Sequence, residues 1–258
     1  MIRLLEGDSL PVSLKSDPFG CRLWAAWSAY REYETLCSSA FRLWEQEGSG
    51  LYLGLVDDAL LLFPAEKRET GQEDWEEIIS FLPLSGARKV LCPAFCGERL
   101  GLSTELQGRI LRKKSAVLVK ETSPLSIQEE ELPSLQAVYD LLIACRSQTF
   151  CPPAFEPFYL DLSHRLRHHT ASLSAVYREQ KLAAVAIAPV VTEEAALLSG
   201  VAVDPELRRR GLGTEAVRRL METLSSRVLW VFRAEGENKE FYASLGFQEA
   251  DAFLQLSL

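Results

Sequence analysis

One stretch of this 258-residue chain constrains the fold more than any other, and it lies between residues 197 and 224. It opens as an apolar strand over residues 197–203, which Asp204 and Pro205 end with a strong turn signal. Three arginines and two glycines follow. The next apolar residues have the spacing of an amphipathic helix: Val217, Leu220, Met221 and Leu224. The sequence therefore predicts a strand, a basic loop containing glycine, and a helix in direct succession.

The junction between that strand and that helix has the properties of an anion-binding site. The first turn of a helix carries unpaired backbone N–H groups and the positive end of the helix dipole. Gly211 and Gly213 lack a Cβ, so an anion can approach the backbone closely. The arginines from Arg208 to Arg210 add donors that suit phosphate oxygens. We therefore predict a diphosphate site here, against the plainer alternative of a solvated basic loop; neither GxGxxG nor GxxxxGK[ST] is present.

This loop and a second motif resemble the GCN5-related N-acetyltransferases, the GNAT superfamily. The run from Arg208 to Gly213 fits the family's [Q/R]xxGx[G/A] motif and follows a strand that ends in VAVDP. About thirty residues later, Phe241 to Phe247 reads FYASLGF, which is similar to the family's frequent FYxxLGF. The resemblance is clear from about residue 173 to residue 258, and it extends more loosely back to about residue 123.

The resemblance implies a fold, a cosubstrate and a set of site residues. It implies an α/β fold with a mixed sheet, in which the loop binds the pyrophosphate of acetyl-CoA and the preceding strand binds the pantetheine arm. Tyr242 would protonate the departing coenzyme thiolate; the alternative is a tyrosine packed between helix and sheet. The cosubstrate-binding residues expected on this basis are Val201, Ala202, Val203, Arg208, Arg209, Arg210, Gly211, Leu212, Gly213, Thr214 and Asn238.

The sequence departs from the family pattern in two places. Many members carry an asparagine seven residues before the tyrosine, where this chain has Glu235; Asn238 lies only four residues before it. Many members also place a carboxylate on the motif strand as general base, but residues 195–200 contain no acid. The general base is then Glu193 or Glu194, a residue of the preceding helices, or a chain of water molecules.

Composition limits the class of protein. The hydrophobic content of 47% and charged content of 25% are typical of a soluble globular chain. A net charge of −8 argues against general nucleic-acid or membrane binding, and no apolar run approaches the ~20 residues that span a bilayer. The six cysteines lack disulfide-framework spacing and the N-terminus reads as no targeting signal, so we expect a cytoplasmic location.

Two groups of residues could suggest a metal or proton-transfer role. Cys92 and Cys96 have no companion pair, and His164 and His168 have no third ligand, so no metal site is predicted. His168 and His169 could accept protons near neutral pH, but a helix C-terminus also favours surface imidazolium. The plainer interpretation, of buried thiols and surface histidines, is preferred for both groups.

The chain is predicted to form two domains, 1–122 and 123–258, with the boundary near Ser123 and Pro124. The N-terminal domain is an α/β unit that could be a smaller, degenerate GNAT-like duplicate, although identity between the halves is too low to establish a repeat. No [Q/R]xxGxG follows its strand at residues 87–93, so no cofactor site is expected there. Two short strands are predicted between residues 109 and 120.

The sequence therefore predicts an acetyl-CoA-dependent N-acetyltransferase that modifies a primary amine of a small molecule or peptide by direct attack on the thioester. Two alternatives stay open: an acyltransferase for hydroxyls or longer acyl chains, and an acyl-CoA-binding sensor or scaffold with little turnover. A monomer or homodimer is expected, without nucleic-acid or membrane partners. The sequence does not identify the acceptor.

Overall fold

The computed structural model describes residues 1–5, 10–32, 41–47, 49–64, 72–114, 133–225 and 227–258. The N-terminal half contains β1 (Ile2–Leu4), α1 (Gly20–Tyr30), β2 (Phe41–Gln46), β3 (Leu51–Val56), β4 (Ala59–Pro64), α2 (Gln72–Phe81), β5 (Lys89–Pro93), α3 (Ala94–Leu100) and β6 (Thr104–Lys114). The C-terminal half contains α4 (Leu135–Ala144), α5 (Phe155–Arg167), β7 (Ser172–Arg178), β8 (Lys181–Ala188), β9 (Val190–Val191), β10 (Ala195–Leu197), β11 (Gly200–Val203), α6 (Leu212–Thr223), β12 (Val228–Ala234), α7 (Lys239–Ser244) and β13 (Gln248–Ser257). No helix within these ranges is long and apolar enough to cross a membrane.

Local sequence explains where several of these elements begin and turn. Asp17 Oδ1 accepts hydrogen bonds from the N–H groups of Phe19 and Gly20, at 2.8 and 2.7 Å, and so satisfies donors at the start of α1. Glu179 and Gln180 join β7 to β8, and both have positive φ, as a tight hairpin turn with the native twist requires. The hairpin pairs Ser172–Arg178 with Lys181–Ala188.

The two halves repeat one order of elements. Three successive strands are followed by a helix, a strand, a helix and a last strand: β2-β3-β4-α2-β5-α3-β6 in the N-terminal half, and β7-β8-β10/β11-α6-β12-α7-β13 in the C-terminal half. In each half the strand before the first helix pairs in parallel with the strand after it, Ala59–Leu61 with Lys89–Leu91 and Ala195–Leu197 with Val228–Trp230. The expectation of a GNAT-like duplicate is therefore met by the topology.

The halves are joined by an exchange of their last strands. The larger sheet has the order β1-β2-β3-β4-β5-β13-β6-β12-β10-β9, so β13 of the C-terminal half lies between β5 and β6 of the N-terminal half. β6 in turn pairs along its length with β12, from Gly108 opposite Ala234 to Lys114 opposite Val228. Each half thus completes the sheet of the other.

Side chains from both halves cover β12. Its residues Leu229 and Val231 point into the core beneath α6, together with Leu220. On the opposite face Trp230 and Phe232 pack beneath α1 of the N-terminal half. The C-terminal sheet therefore has an N-terminal helix as one of its two covers.

Gly108 lies on β6, where this strand pairs with β12 on one side and with β13 on the other. A Cβ at this position would lie 2.1 Å from the backbone oxygen of Arg233 and 2.6 Å from the Phe253 ring, and a backbone atom cannot move away cheaply. We expect Gly108→Ala to lower the free energy of unfolding by about 1–3 kcal/mol, measured by urea denaturation. Gly200→Ala is the control, since its Cβ would meet only the Ile187 side chain, at 3.2 Å. Equal losses in the two variants would contradict this account.

Three sequence predictions need correction. Residues 104–114 form one strand that begins before the predicted start at residue 109, because pairing with both β12 and β13 extends it; the second strand predicted toward residue 120 lies outside the described part. The apolar run 197–203 is not one strand but bends between β10 and β11. Cys92 and Cys96 are both buried, but Cys96 belongs to α3, which the sequence did not predict. The proposed boundary at residue 123 also falls outside the described residues.

Candidate functional site

The bend between β10 and β11 opens a gap in the sheet. Leu198 N–H donates to the oxygen of Trp230 on β12 at 2.9 Å, whereas Ser199 N–H donates to the oxygen of Ile187 on β8 at 3.0 Å. The chain therefore leaves β12 at Leu198 and follows β8 from Ser199 onward. Beyond this point β11 has β8 as a neighbour on one side, and its other edge faces the gap.

The strand register shows which backbone groups face that gap. Asp204 N–H donates to Ala183 O at 2.9 Å, and hydrogen-bonded positions alternate along an antiparallel pair. Ala202 and Gly200 therefore bond to β8, while the N–H and C=O groups of Val201 and Val203 point away from it. These are the backbone groups that an extended ligand could pair with.

The oxygen of Val203 already contacts two side chains at the mouth of the gap. The Cys145 thiol at the end of α4 donates to it at 3.2 Å, and Arg208 Nε donates at 3.5 Å. Arg208 Nη2 also lies 3.6 Å from the Cys145 sulfur. Cys145 is a site neighbour that sequence reasoning missed, because nothing local in the sequence connects it with residue 203.

The turn after β11 is held by an ion pair. Asp204 accepts a hydrogen bond from Glu206 N–H at 3.0 Å, and Lys181 Nζ lies 3.0 Å from its other carboxylate oxygen. The Lys181 hydrogen bond holds the pKa of Asp204 below its usual value. These two contacts fix the direction of the turn predicted at Asp204-Pro205. The arginines that follow therefore lie at the start of α6.

The arginine loop is exposed and ends at the N-terminus of α6. Arg208, Arg209 and Arg210 all lie on the surface. Arg209 and Gly211 have φ values of 62° and 78°, so the chain turns sharply just before the helix begins at Leu212. The first α-helical bond runs from Glu215 N–H to Gly211 O, which leaves the N–H groups of residues 212–214 without partners in the helix. The structure thus brings the predicted loop residues together around free donors.

The two glycines of the loop have different structural roles. A Cβ at Gly211 would meet no atom within 4 Å, so the open space around it can admit a ligand, and its positive φ suits glycine. A Cβ at Gly213 would lie 3.1 Å from the Val203 side chain and 3.6 Å from the Phe241 ring. Gly213 therefore allows α6 to pack closely on β11 and α7, which the sequence analysis had attributed to anion access.

A carboxylate in the first turn of α6 does not oppose an anion at the helix N-terminus. Glu215 pairs with Arg178 and with Arg219, each at 2.8 Å. Its negative charge is compensated on both sides. The arginine side chains of the loop and the helix dipole therefore dominate the local field.

Tyr242 lies on α7, behind the loop. Its side chain is 8% exposed, and burial raises its pKa to about 12. The ring contacts Phe241 and Phe247 edge-on, at centroid distances of 5.1 and 5.7 Å. Phe241 also borders Gly213 in the first turn of α6. Tyr242 therefore contacts a residue that itself lies against that turn. It is a protonated phenol throughout the neutral pH range.

The entry to α7 is organised by a buried arginine that sequence reasoning missed. Arg233 at the end of β12 is 4% exposed; it donates to Glu237 O at 3.1 Å and pairs with Glu249 at 3.2 Å. Asn238 follows at the start of α7 with a φ of 46°, and its oxygen accepts from Tyr242 N–H at 3.2 Å. Arg233 therefore fixes the loop that leads to Asn238 and the start of α7.

The acids considered as general base lie at the wrong end of the strand. Glu193 pairs with Lys15 at 3.4 Å, and Glu194 precedes β10, whose first residue pairs with the first residue of β12. Glu194 lies in the turn before β10, whereas Val201 lies on β11, beyond the bend. Neither carboxylate belongs to the strand that borders the gap.

The histidines contact the N-terminal half. The His164 ring stacks on Tyr30 with centroids 4.5 Å apart, its Nε2 lies 2.7 Å from Ala29 O, and the His168 ring is 4.2 Å from it. Among the described residues no group of three His, Cys, Asp or Glu side chains could hold a metal ion. These histidines join α5 to α1 rather than face the gap.

The sequence before α2 contains a run related to that of the arginine loop. α6 begins at Leu212, after Gly211, and α2 begins at Gln72. In the sequence, Arg68-x-x-Gly71-x-Glu73 has the spacing of Arg208-x-x-Gly211-x-Gly213 but ends in glutamate where the motif has a small residue. Residues 65–71 lie outside the described part of the chain.

The comparisons with known proteins agree with this topology. Residues 135–247 match the Acetyltransferase (GNAT) family. Solved structures of similar fold include a Drosophila protein (TM-score 0.62, 12% identity) and a tandem GNAT protein from the clavulanic acid biosynthesis pathway (TM-score 0.53, 15% identity), each covering 100% of this chain and 98% of that one. A GCN5-related N-acetyltransferase from Kribbella flavida covers 90% of this chain and 95% of its own, with a TM-score of 0.56 at 13% identity. Residues 135–247 are therefore similar to the GNAT family, and the whole chain has the fold of tandem GNAT proteins.

Similarity to curated proteins is shorter. The ribosomal protein bS18-alanine N-acetyltransferase of Salmonella typhimurium is 40% identical over 77 residues, which are 28% of this chain and 51% of that protein. The Escherichia coli K12 protein of the same name is 41% identical over 75 residues, 27% and 50% of the respective chains. The chain thus spans about half the length of the curated relatives it matches.

Proposed function

We propose that this protein is an acetyl-CoA-dependent N-acetyltransferase that acetylates a primary amine of a small molecule or peptide in the cytoplasm. One observation carries the proposal: the free edge of β11 leads directly into the Gly211 loop and the unpaired N–H groups of α6. An extended polar arm that ends in a diphosphate matches this surface in both shape and charge. The curated relatives named above are amine acetyltransferases, which supports an amine acceptor.

The residues present fit acetyl-CoA as cosubstrate. Val201 offers its backbone N–H and C=O groups, and Val203 its N–H group, to the amide groups of the pantetheine arm, as a β-strand would. Residues 211–214 and the arginines from Arg208 to Arg210 would hold the diphosphate. Acetyl-CoA supplies the activated acyl group; the protein's contribution is to orient it beside the amine and to exclude alternative geometries.

Tyr242 is proposed as the proton donor to the coenzyme thiolate. Its phenol keeps its proton at neutral pH because burial raises the pKa to about 12. Burial also raises the pKa of thiols in this protein, to about 12 for Cys92, so a thiolate released in a buried site is a better proton acceptor than one in water. Asn238, held at the entry of α7, is the proposed contact for the pantetheine.

The amine must lose a proton, but β10 and β11 carry no acid for this purpose. With Glu193 and Glu194 at the far end, a water chain from the α4–α5 loop toward solvent is the proposed route. Such a route suits an acceptor whose amine is already partly unprotonated in solution. For such an amine, orientation matters more than deprotonation by the protein. We therefore propose that positioning, rather than a strong general base, supplies most of the rate.

The absent strand carboxylate also favours a second candidate, an acyl-CoA-binding sensor with little turnover. Release of free thiol from acetyl-CoA, measured across a panel of amines, separates the two. Amine-dependent release above the rate of hydrolysis supports the enzyme; binding without release in every amine supports the sensor. Repeating the assay with alcohols and with longer acyl-CoA donors tests the remaining acyltransferase variants.

Gly211→Asp tests the placement of the diphosphate. We expect acetyl-CoA to bind about 10- to 100-fold more weakly by calorimetry, because one opposing charge at close range in a partly solvated site is worth ~1 to 4 kcal/mol. One binding event per chain is expected, since the related run before α2 has Glu73 in place of a small residue.

Gly101→Asp is the matched control for Gly211→Asp. Gly101 has a φ of 66°, and a Cβ there meets nothing within 4 Å, so the substitution brings the same backbone strain and charge far from the loop. Gly213→Asp is a poorer test, because it would disturb packing against Val203. Wild-type affinity in Gly211→Asp, or an equal loss in Gly101→Asp, would refute the placement; two events per chain would mean that the N-terminal half also binds the cosubstrate.

A further inference from the structure

A second pocket lies in the N-terminal half, away from the β11–β12 gap. It is a partly open cavity of about 190 Å³ between α1, the β3–β4 turn, the start of β5 and the end of β13. Its apolar wall consists of Leu61 and Leu91, and its polar groups come from five side chains: Arg22, Asp57, Asp58, Lys89 and Gln255. The proposed acetyl-CoA site uses none of these residues.

Arg22 is the inner polar group of this pocket. Its guanidinium lies 4.8 Å from the centre of the Phe232 ring, and its Nε is closed to solvent and makes no hydrogen bond. Burial lowers the pKa of Arg22, and no described carboxylate lies within ion-pair distance of it. A buried guanidinium nitrogen without a hydrogen bond is costly, and no ion pair with a described residue offsets this cost, so Arg22 is suited to an anionic ligand.

Two of the other polar residues already form an ion pair with each other. Lys89 Nζ lies 3.0 Å from Asp58 Oδ1, so this pair contributes no net charge. Gln255 donates through Nε2 to Glu105 at 3.1 Å, which leaves its amide oxygen as an acceptor facing the pocket. Neither group can neutralise Arg22.

Asp57 is the remaining charge, at the rim of the pocket. It occupies the β3–β4 turn with a φ of 55° and is exposed, and within the described ranges no cation lies close enough to form an ion pair with it. On α5, Asp161 faces it but already bonds to Arg165 and Tyr30, at 2.7 and 2.8 Å. The pocket therefore has a cation inside and an anion at its mouth, which attract each other at a distance, and neither forms an ion pair with another residue of the described part of the chain.

We propose that this pocket binds a small zwitterion of the amino-acid type, with its carboxylate on the Arg22 guanidinium and its ammonium group on Asp57 and the Gln255 oxygen. The planar fork of arginine matches a carboxylate, and the Phe232 ring on its face leaves only the edge donors for the ligand. The apolar wall accommodates a short side chain. This binding is independent of acetyl-CoA and of the proposed acetyltransferase activity.

The test is calorimetric titration of the full-length protein with glycine, alanine, serine, glutamate and lysine, without acetyl-CoA. At least one should bind with a dissociation constant on the order of 1 mM or tighter. Analogues of that amino acid lacking either the amine or the carboxylate should bind about tenfold or more weakly, because each loses one charged hydrogen-bonding group. Absence of binding by all five, or equal binding by the carboxylate-only analogue, would overturn the proposal.

Variants then assign the two charges. Arg22→Met keeps the length and the contact with Phe232, and should weaken the amino acid about tenfold or more; Asp57→Asn, at the exposed rim, should weaken it through the ammonium group alone. Arg31→Met is the control, since Arg31 directly follows the same helix and its guanidinium lies 4.7 Å from the centre of the Trp27 ring, but it does not line the pocket. Unchanged affinity in Asp57→Asn or Arg22→Met, with a wild-type unfolding curve, would refute the assignment.

Discussion

Tyr242→Phe is expected to lower the turnover number by roughly 10²- to 10⁴-fold while leaving the affinity for acetyl-CoA nearly unchanged. Phenylalanine keeps the ring and its contacts with Phe241 and Phe247, so the packing of α7 is preserved. Only the hydroxyl group, which carries the proton, is lost. Turnover with a good acceptor, measured where chemistry limits the rate, and calorimetric binding of acetyl-CoA separate these two effects.

The pH dependence gives a second readout for Tyr242. Because burial raises its pKa to about 12, the phenol stays protonated below pH 10, and the activity profiles of the two proteins should keep one shape there. In the unfolded chain a tyrosine ionises near pH 10. The wild type should therefore lose stability as the pH rises from about 10 to about 12, and the phenylalanine variant should lack this contribution.

Tyr52→Phe is the matched control, since Tyr52 is 7% exposed and burial also raises its pKa, but it lies in the N-terminal core. It should not change the turnover number. If Tyr242→Phe retains wild-type turnover, Tyr242 is a packing residue and the thiolate takes its proton from water.

A fragment of residues 123–258 is expected to be unstable or insoluble. Without the N-terminal half, β13 loses β5 on one side and β6 on the other, and β12 loses β6. The apolar face that carries Trp230 and Phe232 also loses its cover of α1. Unpaired strand edges and an uncovered apolar face both favour aggregation. Size-exclusion chromatography and thermal denaturation of the fragment measure the effect.

A split protein is the control for this truncation. Residues 1–122 and 123–258, produced together as separate chains, keep every strand pairing of the described residues although the covalent link is gone. They should co-purify and bind acetyl-CoA, while each chain alone does not. A monodisperse, fully active 123–258 fragment would show that the strand exchange is dispensable.

The candidate site could be predicted from the sequence because the residues that define it are close together in the chain. The turn at Asp204-Pro205, the arginines and Gly211 specify a backbone path through φ preferences and short-range hydrogen bonds, and the structure places them as predicted around the start of α6. Residues such as Cys145 and Arg233 were missed because their contacts, with Val203 and Glu249, depend on how distant elements pack. Their roles in binding and catalysis stay predictions until measured.

By itself, the sequence determined many of the elements and the resemblance to the GNAT family: alternating and helical spacing of apolar residues defines strands and helices locally, and the RRRGLG and FYASLGF motifs lie within single junctions. Only the tertiary structure decided the exchange of β6 and β13, the bend at Leu198 that frees the edge of β11, and the placement of Arg22 in a pocket between four elements. These features depend on which strands pair. A strand's own sequence fixes which side chains face each way, but its neighbours are chosen by the competition among all available edges.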